Sequence, residues 1–205
     1  MKQVAGLIGD VVASRQVADR PALQERLLEV LERVSEQAGS PLSITLGDEF
    51  QGRYARLSDA LAAAWHLHLG TIGLARLRIG VGWGEILVEP ESPSAFGSDG
   101  PAWWRAREAI ERVDSSQPAR TIVVTETGWD QLLNSYLMLR DAHLDDLDEA
   151  DVAILEGLEE GDTQRALAER LGLHESSVSR RVSRHGLATL RLTATPRFPD
   201  VIFDA

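Results

Sequence analysis

Apolar positions recur along residues 1–144 with two different periods. Helical spacing of three and four residues predicts four helices, over residues 21–37, 58–69, 102–113 and 128–139. Short apolar or β-branched runs predict strands, over residues 4–8, 42–46, 50–54, 77–81, 85–88 and 121–125. The main elements follow in the order β-α-β-β-α-β-α-β. This order favours an α+β fold of the ferredoxin-like or palm type, with helices on one face of a largely antiparallel sheet.

Residues 151–185 follow a helical pattern. Amphipathic spacing predicts three short helices, over residues 151–158, 163–171 and 175–185. Gly172 allows a tight turn with positive φ between the second and third helices, and the small Ala168 lets these two helices cross closely. The pattern is typical of a bacterial helix–turn–helix module. We therefore predict a palm domain over residues 1–144 and a small all-α domain over 145–205, with an acidic lead-in and a C-terminal tail that forms a strand or an arm.

Charge is distributed unevenly along the chain. The net charge is −11, which argues against a protein that is coated with nucleic acid along its whole length. Residues 145–162 carry nine acids and no base, and we interpret them as a solvated linker that leads into an amphipathic helix. Residues 163–197 carry seven arginines and two glutamates. The predicted third helix therefore lies in a locally basic region.

The composition excludes several classes of protein. The chain has no cysteine, which rules out disulfide frameworks, thiolate metal sites and cysteine nucleophiles. No apolar stretch is long enough to span a bilayer, and an acid at position 10 comes too early for a signal peptide, so we expect a cytoplasmic protein without a membrane partner. His66 and His68 are two residues apart on a predicted helix and point to different faces, so they do not form a zinc pair.

Three acids lie at the ends of predicted strands in the first domain or in the turn between two of them. Asp10 ends the first strand, and Asp48 and Glu49 lie at the tip of the predicted hairpin between the second and third strands. If these strands are neighbours, the carboxylates converge and need a cation, a shared proton or intervening solvent between them. Oxygen ligands suit Mg²⁺ or Mn²⁺. The alternatives stay open that Asp10 is a turn residue that closes the strand and that Asp48 is a hairpin-tip residue favoured by Gly47.

The residues near these acids suit a phosphate-bearing ligand such as a nucleotide. Small residues, backbone N–H groups, a hydroxyl and a cation are available to hold phosphates, at positions Val11, Ala13, Ser14, Arg15 and Gly47. On the third helix, Trp104 is a candidate for stacking on a nucleobase, and Arg105 and Arg107 for reaching a phosphate. The alternative is that Trp103 and Trp104 are core or interface residues and that both arginines are solvated or paired with local acids.

The predicted third helix of the C-terminal domain carries the residue types that contact DNA. Hydroxyl groups bind phosphates or bases, and arginines bind phosphates or guanine edges. The candidate DNA-binding residues are Gln164, Ser176, Ser177, Ser179, Arg180, Arg181 and Arg184. One copy of such a module binds weakly, so we expect a homodimer. A helical module used for protein contact is the alternative.

Four motifs in order resemble the SatD family of bacterial proteins. They cover residues 9–15, 47–52, 78–86 and 97–109. The same order is similar, more remotely, to class III nucleotidyl cyclases, in which two aspartates bind two metal ions on a nucleoside triphosphate. Asp10 and Asp48 fall on those two positions. The resemblance therefore implies a palm fold with a site for a nucleotide and for Mg²⁺ or Mn²⁺.

One departure from the cyclase pattern affects the predicted chemistry. Cyclases carry an Asn, and an Arg four residues later, on the helix after the loop, and Trp104 and Glu108 occupy these positions here. The groups that would stabilise transition-state charge are therefore missing. We predict a regulatory protein that binds a nucleotide or a divalent metal through the first domain and DNA through the second. The alternatives are a divergent metal-dependent nucleotidyl cyclase or phosphotransferase, and a non-catalytic interaction adaptor.

Overall fold

A computed structural model describes residues 2–14, 19–87, 98–113 and 118–194. Five strands form one sheet: β1 (Gln3–Val11), β2 (Leu42–Leu46), β3 (Glu49–Tyr54), β4 (Leu77–Glu85) and β5 (Thr121–Val124). The described ranges contain eight α-helices: α1 (Arg20–Ala38), α2 (Leu57–Gly70), α3 (Pro101–Glu111), α4 (Asp130–Asp141), α5 (Glu149–Glu160), α6 (Gln164–Leu171), α7 (Glu175–Arg184) and α8 (Leu187–Leu190). Within these ranges, no helix combines the length and the apolar character needed to cross a bilayer.

The sheet has the strand order β2-β3-β1-β4-β5. The first four strands pair antiparallel, as the ferredoxin-like prediction requires, and β5 is added parallel to β4. The prediction of two strands around Gly82-Trp83-Gly84 is wrong. β4 is one continuous strand because it pairs with β1 along its whole length, from Leu77 opposite Val11 to Glu85 opposite Gln3. Val88, the predicted end of the second strand, lies outside the described residues.

Helices cover both faces of the sheet, so the prediction of helices on one face is also wrong. Leu7 of β1 belongs to the main core, which α1 and α2 cover. The next residue, Ile8, packs on the other face against Trp103 of α3. Parallel neighbours cannot be joined by a tight hairpin and need a crossover connection. Here α3 is that crossover between β4 and β5, and it occupies the face that a ferredoxin-like sheet leaves open.

Glycines let α3 lie directly on the sheet. A Cβ atom at Gly82 would lie 2.1 Å from the carbonyl oxygen of Ala102 and 2.3 Å from the backbone nitrogen of Ala106. No side-chain movement could relieve these contacts, since both involve helix backbone. Four glycines of β1 and β4 lie close to α3: Gly80 and Gly82, where a Cβ atom would collide with helix backbone, and Gly6 and Gly84, where the approach is less tight. We call these four residues the glycine row. A strand glycine commonly marks such a close approach of another backbone segment.

Helices α5 to α8 pack around an apolar cluster that includes Leu155, Leu167 and Val178. Trp65 of α2 belongs to the same cluster, so this group of helices packs against the helical layer of the sheet. Gly172 ends α6 with a φ of +66°, as predicted. A separate all-α domain over 145–205 stays a prediction. The predicted strand or arm of the tail begins as a short helix, α8, and its residues 195–205 lie outside the described ranges.

Substitution Gly82→Ala tests the contact between α3 and the sheet. The new methyl group would meet helix backbone, so we expect a loss of about 1–3 kcal/mol of unfolding free energy, the usual range for overpacking. Urea denaturation followed by circular dichroism measures it. Gly128→Ala is the matched control, because a Cβ atom there meets no atom within 4 Å. Equal stabilities of the two variants would contradict the tight contact.

Candidate functional site

Asp10 forms a two-point ion pair with Arg78 at the end of β1. The two residues lie opposite each other in the antiparallel ladder between β1 and β4. Nε of Arg78 donates to Oδ1 of Asp10 at 2.8 Å, and Nη2 donates to Oδ2 at 2.5 Å. These hydrogen bonds are the largest influence raising the pKa of Arg78, and Asp48 adds a smaller electrostatic contribution in the same direction. Asp48 is therefore within electrostatic reach of the pair.

Glu49 forms a second two-point ion pair, with Arg107 of α3. The guanidinium nitrogens of Arg107 lie 2.7 and 3.0 Å from the two carboxylate oxygens, and the hydroxyl of Thr45 donates to the same carboxylate at 3.2 Å. The hydrogen bond from Arg107 is the main influence that lowers the pKa of Glu49. Asp10 contributes to the raised pKa of Arg107. The three predicted acids thus meet at one end of the sheet, together with two arginines.

The arrangement of these side chains does not fit a two-metal centre. Both carboxylate oxygens of Asp10 and both of Glu49 accept hydrogen bonds from guanidinium groups. In the part of the chain that the structure describes, no three acidic or histidine side chains are grouped as metal ligands. A divalent ion at Asp10, Asp48 and Glu49 would require Arg78 and Arg107 to release their carboxylates. Binding of Mg²⁺ or Mn²⁺ stays a prediction.

The segment after Asp10 presents few of its side chains to a ligand. Val11 is buried in the main core, and Ser14 is also buried. Ala13 is exposed and has a φ of +54°, which is uncommon for a residue with a Cβ atom and marks a sharp turn directly after the strand. Gly47 turns the β2–β3 hairpin with a φ of +64°. Arg15 lies outside the described residues, so its predicted role stays a prediction.

The two tryptophans of α3 have different environments. Trp103 is 7% exposed and packs against Ile8. Trp104 is 56% exposed, and its indole N–H donates to a carboxylate oxygen of Asp99 at 2.8 Å. A ligand at this end of α3 would therefore find one free aromatic face.

Arg105 connects α3 to the sheet. It donates to the carbonyl oxygen of Trp83 at 2.7 Å and forms an ion pair with Glu126. Arg105, which the sequence predicts as a phosphate ligand, thus already has two partners within the protein. Arg107, the other predicted arginine of this helix, is paired with Glu49 and remains close to half exposed.

Helix α7 presents a polar face opposite its two buried valines, Val178 and Val182. Four of the predicted DNA-binding residues are exposed on it: Ser176, Ser179, Arg180 and Arg184. Ser177 is half-buried and within 3.4 Å of an Arg180 guanidinium nitrogen, and Gln164 is half-buried at the first residue of α6. The prediction of an outward-facing third helix agrees with these exposures.

Arg181 has a different environment from the other arginines of α7. Its Nη1 lies 2.9 Å from carboxylate oxygens of both Asp148 and Asp151, at the start of α5. Asp151 is buried, and its carboxylate also takes part in the capping box of α5 with Asp148. Arg181 therefore connects α7 to α5. Sequence reasoning missed this connection because it interpreted the acidic segment as a solvated linker.

The five-stranded sheet with its flanking helices resembles the palm fold of nucleotidyl cyclase domains. A structure of adenylate cyclases from Trypanosoma brucei aligns with a TM-score of 0.51 and 14% identity, over 72% of this chain and 80% of that chain. The guanylate cyclase domain of RhGC from Catenaria anguillulae, in complex with GTP, aligns with a TM-score of 0.47 and 15% identity, over 67% of this chain and 82% of that one. At these identities the likeness concerns the fold alone.

The chain belongs to the SatD family, because the family model matches residues 4–195. This match confirms the family that the four sequence motifs resemble, and it covers both the sheet and helices α5 to α8. No curated protein sequence matches the chain.

Substitution Arg107→Gln tests the pairing at the hairpin. The change removes the main influence that lowers the pKa of Glu49, so this pKa should rise towards its ordinary value. Carboxyl-carbon NMR titration of Glu49 measures the shift. Arg112→Gln is the control, because Arg112 lies near the end of the same helix region and pairs with Glu108 instead. An unchanged pKa in Arg107→Gln would contradict the described pair.

Proposed function

We propose that this SatD-family protein is a regulator that binds DNA through helix α7. The observation that carries the proposal is the unit formed by α6, Gly172 and α7. Gly172 has a left-handed backbone conformation and joins two helices that pack on each other, and α7 exposes a polar face. In helix–turn–helix proteins, the second helix of such a unit enters the major groove. Hydroxyl and guanidinium groups are the side chains that bind phosphates and base edges there.

The dimensions and charges of α7 support this role. An α-helix with its side chains is about 10–12 Å in diameter, which fits a major groove about 12 Å wide, and the ten residues of α7 extend about 15 Å. Arg180 and Arg184 are one turn apart and exposed, so both can face the same stretch of DNA. Arg181 forms ion pairs with Asp148 and Asp151 and thereby holds α7 against α5. We therefore assign Arg181 to positioning and the other two arginines to DNA contact.

Selection from a random-sequence duplex library tests the proposal. We expect the full chain to enrich a defined sequence, and we expect two half-sites about one helical turn apart because we also propose a homodimer. The double substitution Arg180→Ala/Arg184→Ala should weaken binding to the enriched sequence by about 10- to 100-fold, the range for losing one to two base or phosphate contacts. Fluorescence anisotropy at several salt concentrations measures the affinity and its salt dependence.

Arg26→Ala is the control for this experiment. Arg26 lies on α1, is exposed and pairs with Glu29 in the same way as other surface arginines. Its substitution should leave DNA affinity unchanged. Failure to enrich any sequence would refute the proposal, and so would an equal loss of affinity in the Arg26→Ala and Arg180→Ala/Arg184→Ala variants. In those cases the helical unit is better explained as a surface for protein contact.

We further propose that the palm domain binds a nucleotide or another phosphate-bearing ligand. The specific observation is the group of two arginine side chains, the half-buried Arg78 and the exposed Arg107, at the same end of the sheet as three acids. Guanidinium groups bind phosphate in the same two-point geometry that they use for carboxylates. An incoming phosphate could therefore replace Asp10 or Glu49 as the partner, and Trp104 offers an exposed aromatic face on the same helix as Arg107.

Calorimetric titration with nucleoside triphosphates and cyclic nucleotides, with and without Mn²⁺, tests ligand binding. If arginines hold the phosphates, Arg78→Gln/Arg107→Gln should lose at least tenfold in affinity, and binding should persist without Mn²⁺. If carboxylates hold a metal ion, the Asp10→Ala and Asp48→Ala variants should instead lose the Mn²⁺-dependent binding of the nucleotide. Asp59→Ala is the control, because Asp59 pairs with Arg56 at the start of α2. No binding at millimolar ligand would contradict this second proposal.

A further inference from the structure

The outer face of helix α4 carries no charge. Its exposed residues are all polar and uncharged or apolar: Gln131, Leu132, Ser135, Met138 and Leu139. An amphipathic helix on a protein surface normally turns charged residues towards solvent, as α1 does with Glu25, Glu29 and Glu32. The outer face of α4 therefore has the composition of a face that another segment covers.

Large apolar side chains form one stripe along this face. Leu132 is 61% exposed and Leu139 is 72% exposed, and Trp129, which directly precedes the helix, is 43% exposed. The half-buried Tyr136 lies between them in sequence. The four residues are three, four and three positions apart, which places them on one side of a helix. We call Trp129, Leu132, Tyr136 and Leu139 the α4 stripe. A contiguous exposed apolar patch of this kind commonly marks a site of interaction.

The last described residues of the chain lie against the α4 stripe. The hydroxyl of Tyr136 donates to the carbonyl oxygen of Thr193 at 3.2 Å. Leu192, the residue before Thr193, is 72% exposed, and Ala194, the residue after it, is buried. Residue 194 is also the last one that the structure describes. Residues 195–205 therefore start beside the middle of the α4 stripe.

The sequence of residues 195–205 suits this surface in composition and in length. It contains four large apolar residues: Phe198, Val201, Ile202 and Phe203. Eleven residues in an extended conformation reach at most about 36–40 Å. The α4 stripe is about 15 Å long, since ten helical residues separate its first member from its last. The segment is therefore long enough to cover the whole stripe from its starting point.

We propose that residues 195–205 dock on the α4 stripe of their own chain, with their apolar side chains against Leu132 and Leu139. A short segment fits better than a second copy, because a standard interface between folded proteins buries roughly 800 Å² on each partner. Four partly exposed side chains provide less than that. The docked segment would tie the end of the helical group α5 to α8 to α4, which packs on β5. The proposal does not depend on the binding of DNA or of a nucleotide.

Thermal unfolding of full-chain variants tests whether the stripe is covered. Leu132→Ala and Leu139→Ala should each lower the Tm by about 2–4 °C, because apolar contact with the docked segment is lost. Leu28→Ala is the matched control, since Leu28 is an exposed leucine on α1, and its Tm should stay nearly unchanged. In a chain that carries Phe198→Ser/Phe203→Ser, Leu132→Ala should cause little further loss, because the two substitutions remove the same contact.

Photocross-linking identifies the segment that covers the stripe. With p-benzoylphenylalanine in place of Leu132, we expect cross-links to peptides from residues 195–205. The same group in place of Gln131, which is exposed about 100° away around the helix, should give at least fivefold fewer. A mixture of isotope-labelled and unlabelled chains shows whether each cross-link lies within one chain.

Three results would overturn the proposal. One is an equal Tm for the Leu132→Ala and Leu28→Ala variants, which would mean that the stripe is bare. Another is an effect of Leu132→Ala that is as large in the Phe198→Ser/Phe203→Ser chain as in the unmodified chain. The third is cross-linking from position 132 that joins two chains or misses residues 195–205, which would assign the stripe to a second copy or to another part of the protein.

Discussion

The direct contact between the backbone of α3 and the glycine row determines the geometry of this face of the sheet. Side chains at Gly80 or Gly82 would collide with helix backbone, so the helix can lie this close only because these positions lack a Cβ atom. The short distance brings Arg105 to the carbonyl oxygen of Trp83 and Arg107 to the carboxylate of Glu49. It also leaves Trp104 on the outer side of the helix. The predicted site therefore depends on residues that take no part in its chemistry.

Arginines pair with two of the three acids that the sequence predicts as metal ligands. Asp10 and Glu49 are each satisfied by a guanidinium group, which fixes the carboxylates without a divalent cation. The helix position at which cyclases carry an arginine holds Glu108, and Glu108 pairs with Arg112 on the surface. A site with these partners is better suited to exchange one anion for another than to stabilise the charge that develops during phosphoryl transfer. The pairing of these carboxylates with arginines therefore favours ligand binding over catalysis.

Sequence periodicity was sufficient for the order of elements but not for the contacts between them. The antiparallel run from β1 to β3, the hairpin acids and the glycine turn at Gly172 follow from local patterns and turn chemistry, and the structure agrees with them. The ion pair between Asp10 and Arg78 depends on the register between β1 and β4. The alternation of apolar and polar residues along each strand does not determine that register. The contact of Arg181 with Asp151 joins residues 30 positions apart. The continuity of β4 could not be predicted, because Gly82 and Gly84 are typical turn residues in a sequence. In the structure these glycines instead allow α3 to pack closely on the strand.

The most direct test of this account is an assay for turnover at the palm site. The full chain would be incubated with ATP or GTP and Mn²⁺, and pyrophosphate and cyclic nucleotide would be measured against a protein-free control. The account predicts no product above the control, because Asp10 and Glu49 are bound by arginines and the position of the transition-state arginine holds Glu108. Product formation that is lost in Asp10→Ala would contradict it and would identify the protein as a divergent cyclase or phosphotransferase.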